Sequence, residues 1–482
     1  MKMFRTLGIA LMGLFVWVGA AQSQTWTPLT HQPTFQTDTA LQLTDGTVMV
    51  HEYQTPNWWR LTPDNTGSYV NGTWSKIASM ASNYLPLYFA SAVLADGNVI
   101  VEGGEYDGSH SQTNDGSYYD SVLNTWTRIA PPAGWTEIGD SPGIVLPTGT
   151  FMLGENMSTN AALFNEATKT WTTTGTGKQD DYEEEGWILL PDRTVLTTDA
   201  IKEPHAEKYI YTTGTWISAN STIVRLEDGG SEEIGPMVLR YDGTVFATGG
   251  NATGAGHTSI YHPPTHPLQP GKWTPGPDMP KTNDMADAPA SILPNGDVLC
   301  EMSPGIFQSP VSFYEFDGTK FTQVPNPSNP SMTSYQGRML VLPTGQVLFL
   351  VADGNTIDVE AFNATGNPDP SWAPTITNFP SSVTRGSSYI IKGTQFNGLT
   401  TGANYGDDAQ MATNYPLVRI TNDSTGHVFY ARTHNHSTMG VATGTKLVGT
   451  HFDVSSNTET GPSHLEVVAN GIASTPVAIT VN

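Results

Sequence analysis

Seven copies of one short pattern constrain this chain more than any other feature. They are "LQLTDGTVMV", "AVLADGNVIV", "GIVLPTGTFML", "WILLPDRTVL", "MVLRYDGTVF", "SILPNGDVLC" and "MLVLPTGQVLFL". Each reads as an apolar run, a tight corner and a second apolar run, the signature of two strands joined by a turn. The corners fall at Gly46, Gly97, Gly149, Arg193, Gly243, Gly296 and Gly345, 44 to 53 residues apart. A second marker recurs between them, in "GTWSKI", "NTWTRI", "KTWTTT", "GTWISA", "GKWTPG" and "TKFTQV", which places Trp74, Trp126, Trp171, Trp216, Trp273 and Phe321. A unit of this size cannot bury its apolar face alone, so successive units must pack on one another.

A period near 50 with a tight turn and a late aromatic predicts kelch-type blades, each a four-stranded meander around a central axis. The fold class expected is all-β: a seven-bladed kelch-type β-propeller followed by an immunoglobulin-like β-sandwich. Seven corners face only six late aromatics, and Trp26 in "TWTPL" supplies the seventh. The N-terminal strand then completes the last blade and leaves no open sheet edge. The propeller is expected over 25–370. The period stops after "NATGNPDPSW", and short alternating strands predict the sandwich over 371–482.

Residues 1–24 carry Lys2 and Arg5, an apolar stretch and small residues around Ala20, Ala21 and Ser23. They read as a signal peptide, too short for a good membrane anchor, and predict a secreted protein, extracellular or periplasmic. No later run is long enough to span a bilayer, and the chain is expected to be a monomer. With 21 basic against 45 acidic residues the formal net charge is −24, so nucleic acid is a poor partner. Cys300 is the only cysteine; it excludes an intrachain disulfide and reads as a core thiol.

In a meander blade the innermost strand starts at one end of the axis and reaches its corner at the other. Residues about nine before each corner, and the loops after the second strands, therefore gather at one mouth. Those positions are Asp38, Tyr88, Asp140, Glu183 to Glu185, Glu232 and Glu233, Asp287, and Tyr335 with Gln336. Acids at strand starts can form a merely solvated rim. In a chain with 14% charged residues their recurrence points instead to an acidic pocket with tyrosine walls. Carboxylates so crowded need a proton, an amine or a hard cation such as calcium. Sugar hydroxyls also suit them, with C–H faces stacking on tyrosine.

At this point the chain resembles the galactose oxidase and glyoxal oxidase family of secreted seven-bladed kelch propellers with an immunoglobulin-like domain. The resemblance covers nearly the whole mature chain. It implies a mononuclear copper on the axis, held by two tyrosines and two histidines, with one tyrosine bonded to a cysteine sulfur. "YFASAVLADG" is similar to the stretch with the cross-linked tyrosine, and so implies that role for Tyr88. "SYQGRMLVLPTG" resembles the stretch with the axial tyrosine, at Tyr335, but Gln336 stands where the family has a histidine ligand. "YARTHNHSTMGV" resembles the loop delivering the other histidine through the ring, which implies His434, with His436 beside it. Tyr106 stands where the family stacks an aromatic over the thioether. The cysteine position falls near Thr37 and Asp38, neither of which can form a thioether. An amide is a poor copper ligand beside imidazole, so radical-copper chemistry is disfavoured.

The leading expectation is a propeller that binds or acts on a carbohydrate or polyol. Tyr88, Tyr335, Gln336, His434, Glu184 and Asp140 are the catalytic candidates, and Asp38, Tyr106, Glu233, Asp287 and His436 the binding ones. The alternatives are a non-catalytic extracellular adhesion or scaffold protein, and a divergent copper oxidase using Tyr88, Tyr335 and His434. Scattered histidines at 257, 262 and 266, and the pair Asp407-Asp408, read as ordinary loop residues.

Overall fold

The computed structural model describes residues 24–108, 110–405 and 411–482. The expected signal peptide lies outside the described residues apart from its last position, and Asp407-Asp408 lie outside them too. Among the described residues there is no α-helix, and no helix is long and apolar enough to cross a membrane.

Seven sheets are each built on four antiparallel strands in meander order. In the second of these, Ala90–Val93, Val99–Glu102, Gly116–Asp120 and Thr125–Ile129 follow one another outward. Inner strands are buried on both faces and therefore run as unbroken apolar stretches, as in Val347–Val351; outer strands are more exposed, as in Thr170–Thr174. Six corners have glycine at φ between 81° and 98°, while Arg193 takes φ 72° in the fourth. In most of them an Asp or Asn side chain accepts the N–H two residues on, as Asp45 does from Thr47 at 3.0 Å. That Asx bond is why the recurring corner reads Asp-Gly or Asn-Gly.

The late aromatics join neighbouring sheets. The indole N–H of Trp74 donates to the His31 carbonyl at 2.9 Å, Trp126 to Ala78, Trp171 to Ala130 and Trp273 to Ala219. Trp26 makes the same kind of bond to Pro325 at 2.6 Å. Its strand, Thr25–Pro28, pairs with Glu360–Asn363 and completes the seventh sheet. Cys300 is fully buried in the sixth sheet. Apart from Ala403–Asn404, the strands from Thr375 to Val481 form a nine-stranded sheet around Ile391, Val418, Phe452, Val467 and Ile479.

Glu102 shows what these tight inner strands cost. It is fully buried, and neither carboxyl oxygen has a hydrogen-bond partner. Burial, with Asp115 adding repulsion, pushes its carboxyl well above the usual range. Such a group destabilises the fold once the unfolded chain ionises, so its cost is absent below about pH 4.3 and grows as pH rises toward the folded value. Glu102→Gln is therefore expected to stabilise by about 1–3 kcal/mol near pH 8 and by almost nothing at pH 4. Urea melts at the two pH values check this; an equal effect at both would refute the assignment.

Candidate functional site

The starts of the innermost strands meet around one cavity of about 510 Å³. Strand starts of six of the seven sheets contribute to its wall: Tyr88, Asp140, Glu184, Glu233, Asp287, and Tyr335 with Gln336. The runs of acids are divided by the backbone. Of Glu183 to Glu185 only Glu184 lines the cavity, while Glu185 turns inward to Lys178 at 2.8 Å. Loops after second strands add Tyr53, Gln54, Glu105, Tyr106 and Phe307. Of these, Tyr106 is a binding candidate from the sequence; Tyr53, Gln54, Glu105 and Phe307 carry no repeat signal.

Five lining residues have left-handed backbone: Gln54, Tyr88, Glu184, Asp287 and Phe307, at φ 50°, 51°, 57°, 49° and 52°. Each such non-glycine residue costs on the order of 1–2 kcal/mol, and strain of this kind clusters where side chains are aimed for use.

The cavity has two unlike sides. On one, Tyr106, Tyr88, Tyr335 and Phe307 form an edge-to-face series with centroid separations of 6.4, 6.4 and 5.3 Å. On the other, Glu184, Glu233 and Asp287 bring one oxygen each within 4.8 Å of one another. Burial pushes the Glu233 carboxyl up, while hydrogen bonding with Asp287 and Glu184 pulls it down; the net direction is upward. Burial likewise raises Glu105. A bond to Glu105 is the main reason the Tyr106 hydroxyl is pushed up to about 12. Tyr106 is also the most open of the four aromatic rings, 41% exposed.

Tyr335 and Gln336 lie in a 3₁₀ turn over Ser334–Gln336. The Gln336 side-chain oxygen accepts the Thr333 N–H at 3.1 Å. An amide at this position thus closes its own turn, a task for a carbonyl oxygen.

Three expected positions are corrected. Asp38 does not line the cavity. It lies beneath, 0% exposed, 3.0 Å from His51 Nδ1 and 3.5 Å from the Arg338 guanidinium. His434 does not reach the axis. The strand Val428–His434 runs in register with Val448–Asp453, so His434 sits opposite His451 and bonds Asp453 at 3.1 Å. His436 follows it away: its N–H donates to Ala95 at the second corner, the end of the ring opposite the cavity. Burial, with His434 and Arg432 nearby, pulls the His436 imidazole down to about 3.

A different segment fills the axis. Ala403–Asn404 adds a fifth strand inside the sixth sheet by pairing with Ala290 and Ser291. The next residue, Tyr405, donates its hydroxyl to the Tyr335 carbonyl at 2.7 Å and lines the cavity. The run "TTGANYG" held the available signal. Only small residues fit so close to the axis, and Gly402 takes φ 103° where a Cβ would lie 2.3 Å from Thr413.

Arg338 lies under the tyrosines. It is 0% exposed and donates to the Tyr335 and Gly337 carbonyls at 2.7 and 2.8 Å. Its Cζ is 4.0 Å from the Tyr405 ring centre and 5.7 Å from that of Tyr88. The residues present do not fit the copper centre that the family resemblance implies. One histidine position carries Gln336, whose oxygen is held by the backbone; His434 is elsewhere; and a buried cation already lies against the tyrosines. A guanidinium repels a divalent ion and offers it no lone pair.

No family model matches the chain, and no curated protein matches it. Among solved structures it is similar to a fungal alcohol oxidase, described as having catalytic diversity among the AA5 family and in complex with copper. The two share 15% identity over 96% of this chain and 100% of that one, with a TM-score of 0.56. A streptogramin B lyase matches at 11% identity over 70% of this chain and 97% of its own, with a TM-score of 0.48. A catalytically inactive virginiamycin B lyase from Staphylococcus aureus with quinupristin matches at 9% over 71% and 99%, with a TM-score of 0.49. At such identities the likeness is one of fold alone, and the fold is an all-β propeller like that of the alcohol oxidase.

Proposed function

We propose that this is a secreted, monomeric, seven-bladed kelch propeller over residues 25–370 with an immunoglobulin-like sandwich over 371–482. Its axial pocket binds or acts on a carbohydrate or polyol without a copper-radical cofactor. The observation that carries the reading is the facing of the Tyr106–Tyr88–Tyr335 wall by Glu184, Glu233 and Asp287 across one cavity. Sugar hydroxyls donate to carboxylates, and the apolar C–H face of a ring stacks on tyrosine. Strained backbone at Tyr88, Glu184 and Asp287 supports an aimed site rather than a solvated rim.

Where the pocket is catalytic, Glu233 is the acid. Burial raises its carboxyl, against the hydrogen bonds from Asp287 and Glu184 that lower it, and one of those two carboxyls on the same side takes the complementary role of base. This is hydrolytic or eliminating chemistry, with a proton delivered to a leaving oxygen and another removed by the partner.

A panel of neutral oligosaccharides and polyols, assayed by calorimetry and by product release, tests the reading. We expect one class to bind, with Glu233→Gln lowering turnover by about 100-fold or more and leaving binding within a few-fold. Binding with no turnover in the native chain would identify an adhesion or scaffold role instead. No binding by any member would refute the carbohydrate assignment.

A further inference from the structure

The buried floor of the cavity carries an inference that goes beyond the identity of the ligand. Arg338 is fully enclosed. Its guanidinium faces the Asp38 carboxylate at 3.5 Å, the Tyr335 and Gly337 carbonyls at 2.7 and 2.8 Å, and the ring of Tyr405 at 4.0 Å. Asp38 is braced in turn by His51 at 3.0 Å, and the His51 ring bonds the Thr55 carbonyl at 2.7 Å. The cation is thus built in from the first and seventh sheets and the axial segment that carries Tyr405, not admitted from solvent.

We propose that Arg338 is the resident cation of this site: it takes the electrostatic place of a metal beneath Tyr88, Tyr335 and Tyr405, and by doing so closes the axis to copper. Tyrosine binds a divalent metal as tyrosinate, which requires the metal's charge to offset the cost of a buried phenolate. Here burial pushes the Tyr88 hydroxyl far up, and Arg338 is the group that draws it back. That attraction acts from inside the floor, through a group that cannot accept a ligand bond. A divalent ion brought against the tyrosines would meet the guanidinium within about one ring's width, where like charges repel strongly in a poorly solvated site. Restoring a histidine ligand is therefore insufficient to restore a metal centre. The guanidinium must be removed, together with the carboxylate it neutralises.

Substitution separates the missing ligand from the resident cation. Gln336→His supplies the imidazole while leaving Arg338 in place. Asp38→Asn with Arg338→Met removes the ion pair as a unit, which avoids leaving one charge buried alone. The three changes together remove the cation and add the ligand. Copper binding is measured on folded, monodisperse full chains by equilibrium dialysis with metal analysis. Electron paramagnetic resonance and the visible tyrosinate-to-copper band then report whether the ion lies at the tyrosines.

Native protein and Gln336→His are expected to show no tyrosinate band and affinities within about three-fold of each other. The triple variant is expected to gain at least about 100-fold in affinity and to show the band. A native chain or Gln336→His variant that binds one copper at the tyrosines would overturn the proposal. So would a folded triple variant that gains nothing. Neither outcome bears on oligosaccharide binding, so this inference and the carbohydrate reading fail separately.

Discussion

Replacing Arg338 alone by methionine is expected to lower the stability of the native chain by about 3–5 kcal/mol, the usual cost of stranding one half of a buried ion pair. The partner left behind is Asp38, which is 0% exposed. It keeps His51 at 3.0 Å but loses the one guanidinium that faces it. Two carbonyls, of Tyr335 and Gly337, lose their donor as well. The pair made with Asp38→Asn is expected to recover most of the loss, because a neutral amide tolerates burial far better than an unpaired carboxylate. Thermal and denaturant melts of the two single variants and the pair form a double-mutant cycle. If Arg338→Met and the pair are equally destabilised, the guanidinium contributes through shape alone, and the electrostatic account of the floor is wrong.

Much of this arrangement was legible in the sequence, for a reason that also explains what was not. Repeats expose whatever the architecture requires of every copy. The corner residues, the outer tryptophans and the strand starts recur because each sheet solves the same local problem. Six of the seven positions read as converging on one mouth do line one cavity. The exception is Asp38, and its neighbourhood shows why: Arg338 from the seventh sheet reaches beneath it, a pairing across about 300 residues that no local pattern records.

The axial segment failed for the complementary reason. The resemblance of "YARTHNHSTMGV" to a family loop implies His434 at the axis. Its strand instead pairs with Val448–Asp453 throughout its end, and that register fixes the histidine against Asp453. The segment that does fill the ring, around Ala403–Asn404, has no repeat and only two paired residues to its strand. Its shape is set by the space the seven sheets leave, which a single sequence does not display. Buried charge is invisible in the same way. Lys178 lies fully buried, 2.8 and 2.7 Å from Glu185 and Glu207, although in sequence it reads as one more lysine in a polar loop.

Deleting Thr25 to Pro28 is expected to be more damaging than any point change outside the floor, although the segment is short and half-exposed. The strand is the outer member of the seventh sheet and pairs over its whole length with Glu360–Asn363. The four meander strands of each of the other six sheets come from one contiguous stretch, whereas this sheet joins Thr25–Pro28 to residues more than 300 positions later. Without it the Glu360–Asn363 strand is left as an open edge, its ladder N–H and C=O groups available to another molecule. The loss is also one of packing. Trp26 lies against Phe313, Phe349 and Phe362 at centroid distances of 5.0, 5.5 and 4.9 Å, and its N–H holds the sixth sheet through Pro325. Removing a tryptophan so placed costs about 3–5 kcal/mol by itself. We expect the shortened chain to melt at least about 10 °C below the intact one, several times the shift that one kcal/mol produces, and to aggregate during expression. Trp26→Ala in the full-length chain separates the two causes, since it removes the contacts but keeps the backbone ladder. It should melt early yet stay monodisperse in size-exclusion chromatography, whereas the deletion should not. A deletion variant that melts with the intact protein and remains monomeric would show that the ring closes without its N-terminal strand.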